Sequence, residues 1–202
     1  ATEIAVAPAP APAAPASTAL PPVAAPAPAP TPAPPPAPAG FDVSQQFAAI
    51  AKAQSPGYDV RLVTNNTSFR IGKDQLSFTV QAEKEGYVYV FVYGADKSLV
   101  QLYPSITSGS LKVKKGQTVK LPLANETPFE TTPPAGPTEL LVMVSPRQRD
   151  HAALRPKKDG TIRIFPTGAE ADALAAQWPG PGPVLAGKVI CPQNQACDDE
   201  FG

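Results

Sequence analysis

From position 41 onward the apolar residues fall into two kinds of spacing. Val43, Phe47 and Ile50 lie on one helical face. Asp42-Val43-Ser44-Gln45 has the form of a capping box, with Asp42 as cap and Gln45 reaching back. A helix is expected over about 43–53, ended by Ser55-Pro56-Gly57. After Gly57 the period becomes two. Strands are expected at Tyr58–Val63, Leu76–Ala82, Gly86–Tyr93, Leu99–Tyr103, Thr118–Leu121, Glu139–Ser145 and Thr161–Phe165, with a short edge strand at Ser68–Ile71. Asn65-Asn66, Gly94-Ala95-Asp96-Lys97 and the Pro-rich stretch 132–137 supply turns, and Glu83-Lys84-Glu85 reads as the turn of a hairpin. Thr167-Gly168-Ala169-Glu170 is a second capping box. Ala171, Leu174 and Trp178 then line one face of a short helix that Pro179 stops. The fold class that follows is mainly β: an antiparallel β-sandwich or partly open barrel with one or two short helices.

Gly86–Tyr93 decides how the sheet is used. Alternation puts Tyr87, Tyr89, Phe91 and Tyr93 on one face and Val88, Val90 and Val92 on the other. Two apolar faces predict a central strand covered on both sides. A nucleic-acid platform needs exposed rings with basic neighbours. Here Glu83, Glu85 and Asp96 flank the strand, against Lys84 and Lys97. Core packing is the favoured reading. The alternative is a small-ligand or peptide groove lined by the hydroxyls of Tyr87, Tyr89 and Tyr93, with Tyr103 as neighbour.

Composition divides the chain. Of its 28 prolines, 14 fall in the first forty residues, where Glu3 is the one charged group. Proline fixes φ and removes donors, so residues 1–40 are expected to be a disordered Ala/Pro-rich tether of polyproline-II character, roughly 120 Å long if straight. The folded domain is expected over 41–178, followed by a Pro/Gly loop and Cys-containing tail over 179–202. Past the tether, 17 Lys and Arg face 16 Asp and Glu. That balance argues against nucleic acid as a partner, because phosphate backbones call for a basic surplus. No apolar run is long enough for a membrane-spanning helix. Membrane anchoring is expected through a segment outside this sequence.

Four stretches carry a family resemblance. They are Phe69-Arg70-Ile71-Gly72-Lys73-Asp74-Gln75-Leu76-Ser77-Phe78, Glu85-Gly86-Tyr87-Val88-Tyr89-Val90-Phe91, Leu102-Tyr103-Pro104-Ser105 and Pro134-Ala135-Gly136-Pro137-Thr138-Glu139. In this order, over about residues 60–147, the chain resembles the bacterial family known as domain of unknown function 4384. The resemblance implies an extracytoplasmic module, of the kind found at the C-terminal ends of membrane Ser/Thr kinases, in envelope proteins and around type VI secretion. It brings no catalytic set.

In such a compartment Cys191 and Cys197 are expected to close a small disulfide loop; in a reducing one they are two unremarkable thiols. One histidine leaves zinc short of ligands, and Asp198, Asp199 and Glu200 read as a solvated acidic tail rather than a calcium site. No metal and no cofactor are expected. His151 sits in a polar run and is expected in an exposed connection, with no catalytic motif around it. Arg147, Arg149, Arg155, Lys157 and Lys158 form a basic segment, read first as a solvated loop and second as a contact for an anionic polymer or lipid headgroup. Asn65-Asn66-Thr67-Ser68 and Asn125-Glu126-Thr127 match the glycosylation sequon but read as turns.

The expected function is a non-enzymatic sensing or binding module, the C-terminal periplasmic region of a membrane Ser/Thr kinase, with an envelope protein or cell-wall component as partner. A docking component of an envelope or type VI secretion assembly is the first alternative, and an unrecognised hydrolase the second.

Overall fold

The computed structural model describes residues 40–192 and 197–202. The expected tether therefore lies outside the described residues, except for Gly40. The chain forms α1 (Val43–Lys52), β1 (Val60–Thr64), β2 (Gln75–Leu76), β3 (Phe78–Ala82), β4 (Gly86–Tyr93), β5 (Leu99–Tyr103), β6 (Leu111–Val113) and β7 (Thr118–Leu121). There follow β8 (Phe129–Glu130), β9 (Glu139–Ser145), β10 (Arg149–Asp150), β11 (Lys157–Asp159), β12 (Ile162–Phe165), α2 (Ala169–Ala175) and β13 (Lys188–Val189), with 3-10 turns at Ala152–Leu154 and Val184–Ala186. Asp42 caps α1, its carboxylate accepting from the Gln45 backbone N–H at 2.8 Å.

Two antiparallel sheets make a sandwich. The smaller runs β1-β3-β7; the larger runs β11-β12-β5-β4, with β6 and β9 also on β4. β9 pairs with β4 from Tyr87 to Tyr93, while β5 and β6 divide the other edge. Val88 and Val90 of β4 meet Phe78, Val80 and Ala82 of β3 and Leu121 of β7 in one core. The opposite face of β4 carries Tyr89 and Phe91 into a second core with α1, the two 3-10 turns and Phe165. The strand is central and covered on both sides, as its two apolar faces require. Phe91 is fully buried, and truncating such a ring to alanine typically costs about 3–5 kcal/mol.

The turn at Glu83-Lys84-Glu85 does not close a hairpin. β3 and β4 belong to different sheets, so it carries the chain across the sandwich. Gly86 makes the landing possible: a Cβ there would stand 2.6 Å from the Ser145 carbonyl oxygen. Three other expectations are corrected. Ser68–Ile71 is no strand, because Arg70 closes a turn onto Asp74 through its backbone N–H at 2.6 Å and its guanidinium at 2.9 Å. The strand 76–82 breaks at Ser77, whose N–H turns aside to Asn65 Oδ1 at 2.9 Å. The cap of α2 is Gly168 at φ 62°, with no side-chain bond from Thr167.

Residue 178 is not a structural boundary. Val184, Leu185, Ala186 and Phe201 belong to the second core. Gly202 exchanges two backbone hydrogen bonds with Val144, at 2.6 and 2.9 Å, along the edge of β9. The tail is therefore docked through Phe201 and Gly202, while Asp198 and Asp199 stay exposed to solvent. Among the described residues no helix is long and apolar enough to cross a membrane.

Candidate functional site

The end of β5 organises two recesses. Gln101 pairs with Phe91, but Tyr103 pairs with Val90, because a bulge at this point admits one extra residue. The bulge reverses the alternation. Leu99 faces the second core with Phe91, while Tyr103 turns into the first. The four candidate tyrosines thus do not form one groove. Tyr87, Tyr89 and Tyr93 share a face, and Tyr103 lies on the other. Tyr89 is buried, and its hydroxyl accepts from the Arg149 backbone N–H at 2.6 Å. Tyr87 and Tyr93 are half-buried, with Lys112 and Lys97 ammonium groups 5.7 and 5.4 Å from their ring centres.

The first recess, of about 560 Å³, opens beside Tyr103 and is lined by hydroxyl-bearing side chains such as Ser105, Thr107 and Thr127. Its fixed point is Glu126. The carboxylate accepts from the Tyr103 hydroxyl, the Ser108 hydroxyl and, at 2.9 Å, the Leu123 N–H. Burial pushes the Glu126 carboxyl up, but these donors outweigh it and hold it below the usual range. Burial and the adjacent carboxylate push the Tyr103 phenol up.

The second recess, of about 350 Å³, opens on the other face of β5. Gln101, Arg163 and Lys158 lie side by side across β5, β12 and β11, each the direct cross-strand partner of the next. Arg155 and Asp150 also line it. Arg155 and Lys158 are exposed and Arg163 half-buried. The Arg163 guanidinium donates to the Pro104 carbonyl at 2.7 Å. Gln101 is 1% exposed, and its amide nitrogen is buried without a hydrogen-bond partner among the described residues.

The basic segment splits accordingly. Arg155 and Lys158 reach the recess. Lys157 pairs with Ile164 and so lies on the other face of β11, and Arg147 is half-buried elsewhere. Arg149 is not a surface contact. Its guanidinium, fully buried, donates to Ser145 Oγ at 2.9 Å, Asp199 at 2.5 Å and the Glu200 carbonyl at 3.0 Å, and stacks 4.8 Å over Phe201. It holds the C-terminal tail. His151 is likewise buried, not in an exposed connection. Its Nε2 lies 3.2 Å from the Leu185 carbonyl, and burial pulls its pKa down to about 4. Cys191 and Cys197 are joined in a disulfide.

No motif marks Gln101 or Arg163, although alternation carries a signal for both. Gln101 is a polar residue between Leu99 and Tyr103, and Arg163 shares a strand face with Phe165.

The family model for "Domain of unknown function (DUF4384)" matches residues 68–148. No curated protein and no solved structure matches the chain. The matched residues run from the Arg70–Asp74 turn through β9, and include the strand that both cores share. Residues 68–148 of this chain are a domain of the DUF4384 family, and the match ends one residue before the buried Arg149.

Proposed function

We propose that the domain is a non-enzymatic, extracytoplasmic binding module, the C-terminal periplasmic region of a membrane Ser/Thr kinase, held off its membrane anchor by the Ala/Pro tether. The carrying observation is the Cys191–Cys197 disulfide, which closes a short loop outside both cores. Such a bond persists in oxidising compartments and is rare where glutathione keeps thiols reduced. The partner is an envelope protein or cell-wall component. His151 supports a binding role over a hydrolytic one: its ring is packed among aromatic side chains and stays neutral.

The test is topology in cells making the gene product at its natural length. Protease added to spheroplasts should digest residues 40–202 while a cytosolic marker stays intact. Protection of both would sink the reading. A kinase catalytic domain and a membrane span encoded before Ala1 would fix the module's class.

A docking role in an envelope or secretion assembly is favoured by β1. Among the described residues this strand pairs only with β3, and it exposes Val63 at 64%. Its open edge is suited to accepting a partner's strand. A stable multiprotein complex, lost on Val63→Lys, would favour docking over sensing.

A further inference from the structure

We propose that the recess bounded by β5, β11, β12 and the Ala152–Leu154 turn binds a phosphoryl group. The inference goes beyond the binding-module reading and rests on it only for the compartment.

The cross-strand row carries it. Lys158 and Arg163 stand directly opposite each other on neighbouring strands. Like charges in facing positions repel and destabilise a sheet unless something lies between them. Neither side chain has an acidic partner within ion-pair distance among the described residues, and the same is true of Arg155. Next in the row comes Gln101, almost wholly buried, with an amide nitrogen that has no hydrogen-bond partner among the described residues. An unpartnered buried donor is itself a cost of about 1–3 kcal/mol. Both costs vanish if an oxyanion enters: it screens the two cations from one another, and a small rotation of the Gln101 amide brings a donor onto it.

Charge selects the class of anion. Four cations and one acid, Asp150, line the recess. Arg149 is neutralised by Asp199, which leaves Arg155, Lys158 and Arg163 against Asp150. Asp150 is turned to its own backbone, accepting from the Ala152 N–H at 2.8 Å. A net of two positive charges matches a phosphate monoester, which carries about −1.5 to −2 near neutrality, better than a carboxylate. The three phosphoryl oxygens also suit donors arriving from different elements, and a guanidinium fork is well formed for them. The recess volume, about 350 Å³, admits a headgroup-sized ligand.

The test uses the full chain and inorganic phosphate, with acetate and chloride as controls at constant ionic strength. Phosphate should raise Tm progressively with its concentration, and acetate should do so far less. Lys158→Gln is the informative variant, because the side chain is exposed. It should raise Tm in chloride, by relieving the facing charges, and weaken phosphate binding by about tenfold in titration calorimetry. A structural lysine would not move these two readouts in opposite directions. Arg163→Gln should also weaken phosphate binding. Equal shifts with phosphate and acetate, or a phosphate affinity unchanged in Lys158→Gln, would overturn the proposal. Two further arms separate the sources. Binding of glycerol phosphate in solution indicates a soluble ester. Retention on vesicles containing phosphatidate, reversed by inorganic phosphate, indicates a lipid headgroup. Failure to bind any of these, in a chain shown to be extracytoplasmic, removes the site and leaves the module reading standing.

Discussion

Acidification should weaken this domain through one ring. His151 packs against Tyr89, Phe91 and Phe165 at centroid distances of 5.5, 5.4 and 6.0 Å. Burial lowers its pKa from 6.5 to about 4. Between those values the unfolded chain takes up a proton that the folded chain refuses. The stabilisation is therefore fully present above pH 6.5 and is lost as pH falls toward 4. The gap, 6.5 minus 4, at about 1.4 kcal/mol per pH unit, gives about 3 kcal/mol. His151→Phe keeps a ring among the aromatics and removes the titration. It should cost about 1 kcal/mol at pH 7.5, for the lost bond to the Leu185 carbonyl. Urea unfolding followed by the single tryptophan, Trp178, measures both proteins from pH 8 to pH 4. Carboxylates such as Glu126 titrate in both and cancel in the difference. Wild type should be the more stable at pH 7.5 and the less stable near pH 4. A difference that stays flat over that range would refute the reasoning, because it would mean the ring is open to water.

Removing the disulfide by Cys191→Ser with Cys197→Ser should cost about 2 kcal/mol in denaturant unfolding, the loop-closure value for so short a ring. Arg149→Leu should cost about 3–5 kcal/mol, since Asp199 and the carbonyls at 186, 187 and 200 lose their donor, and should make the C-terminal tail sensitive to limited proteolysis. Gly86→Ala should lower stability by about 1–3 kcal/mol, because its Cβ would press on the Ser145 carbonyl and prise β4 from β9.

The sheet strands were legible because each is a local pattern. Gly86–Tyr93, Leu99–Tyr103, Thr118–Leu121 and Glu139–Ser145 have the bounds their alternation predicts. The pairing was not legible. Nothing within Glu83-Lys84-Glu85 distinguishes a hairpin turn from a crossing between sheets; the outcome depends on β9 taking one edge of β4 and β5 and β6 the other. The bulge after Gln101 is equally hidden, and it is what sends Tyr103 away from the other tyrosines. Polar side chains misled in a second way. Arg149 and His151 sit in a strongly polar run, yet both are buried, because partners 34 to 51 residues later in the chain receive them. The short strands β10, β11 and β13 carry no hydrophobic period of their own: β10 and β13 pair because the tail folds back, and β11 forms as the hairpin partner of β12.

The central claim is that this domain works as a binding module outside the cytoplasm, and the state of its two cysteines in living cells tests that most directly. Cells expressing the gene product at its natural length are quenched in acid and alkylated before and after reduction, and the envelope and cytosolic fractions are compared by mass. The account expects the chain in the envelope fraction, with neither Cys191 nor Cys197 labelled until reductant is added. A cytosolic chain labelled at both positions without reductant would contradict it.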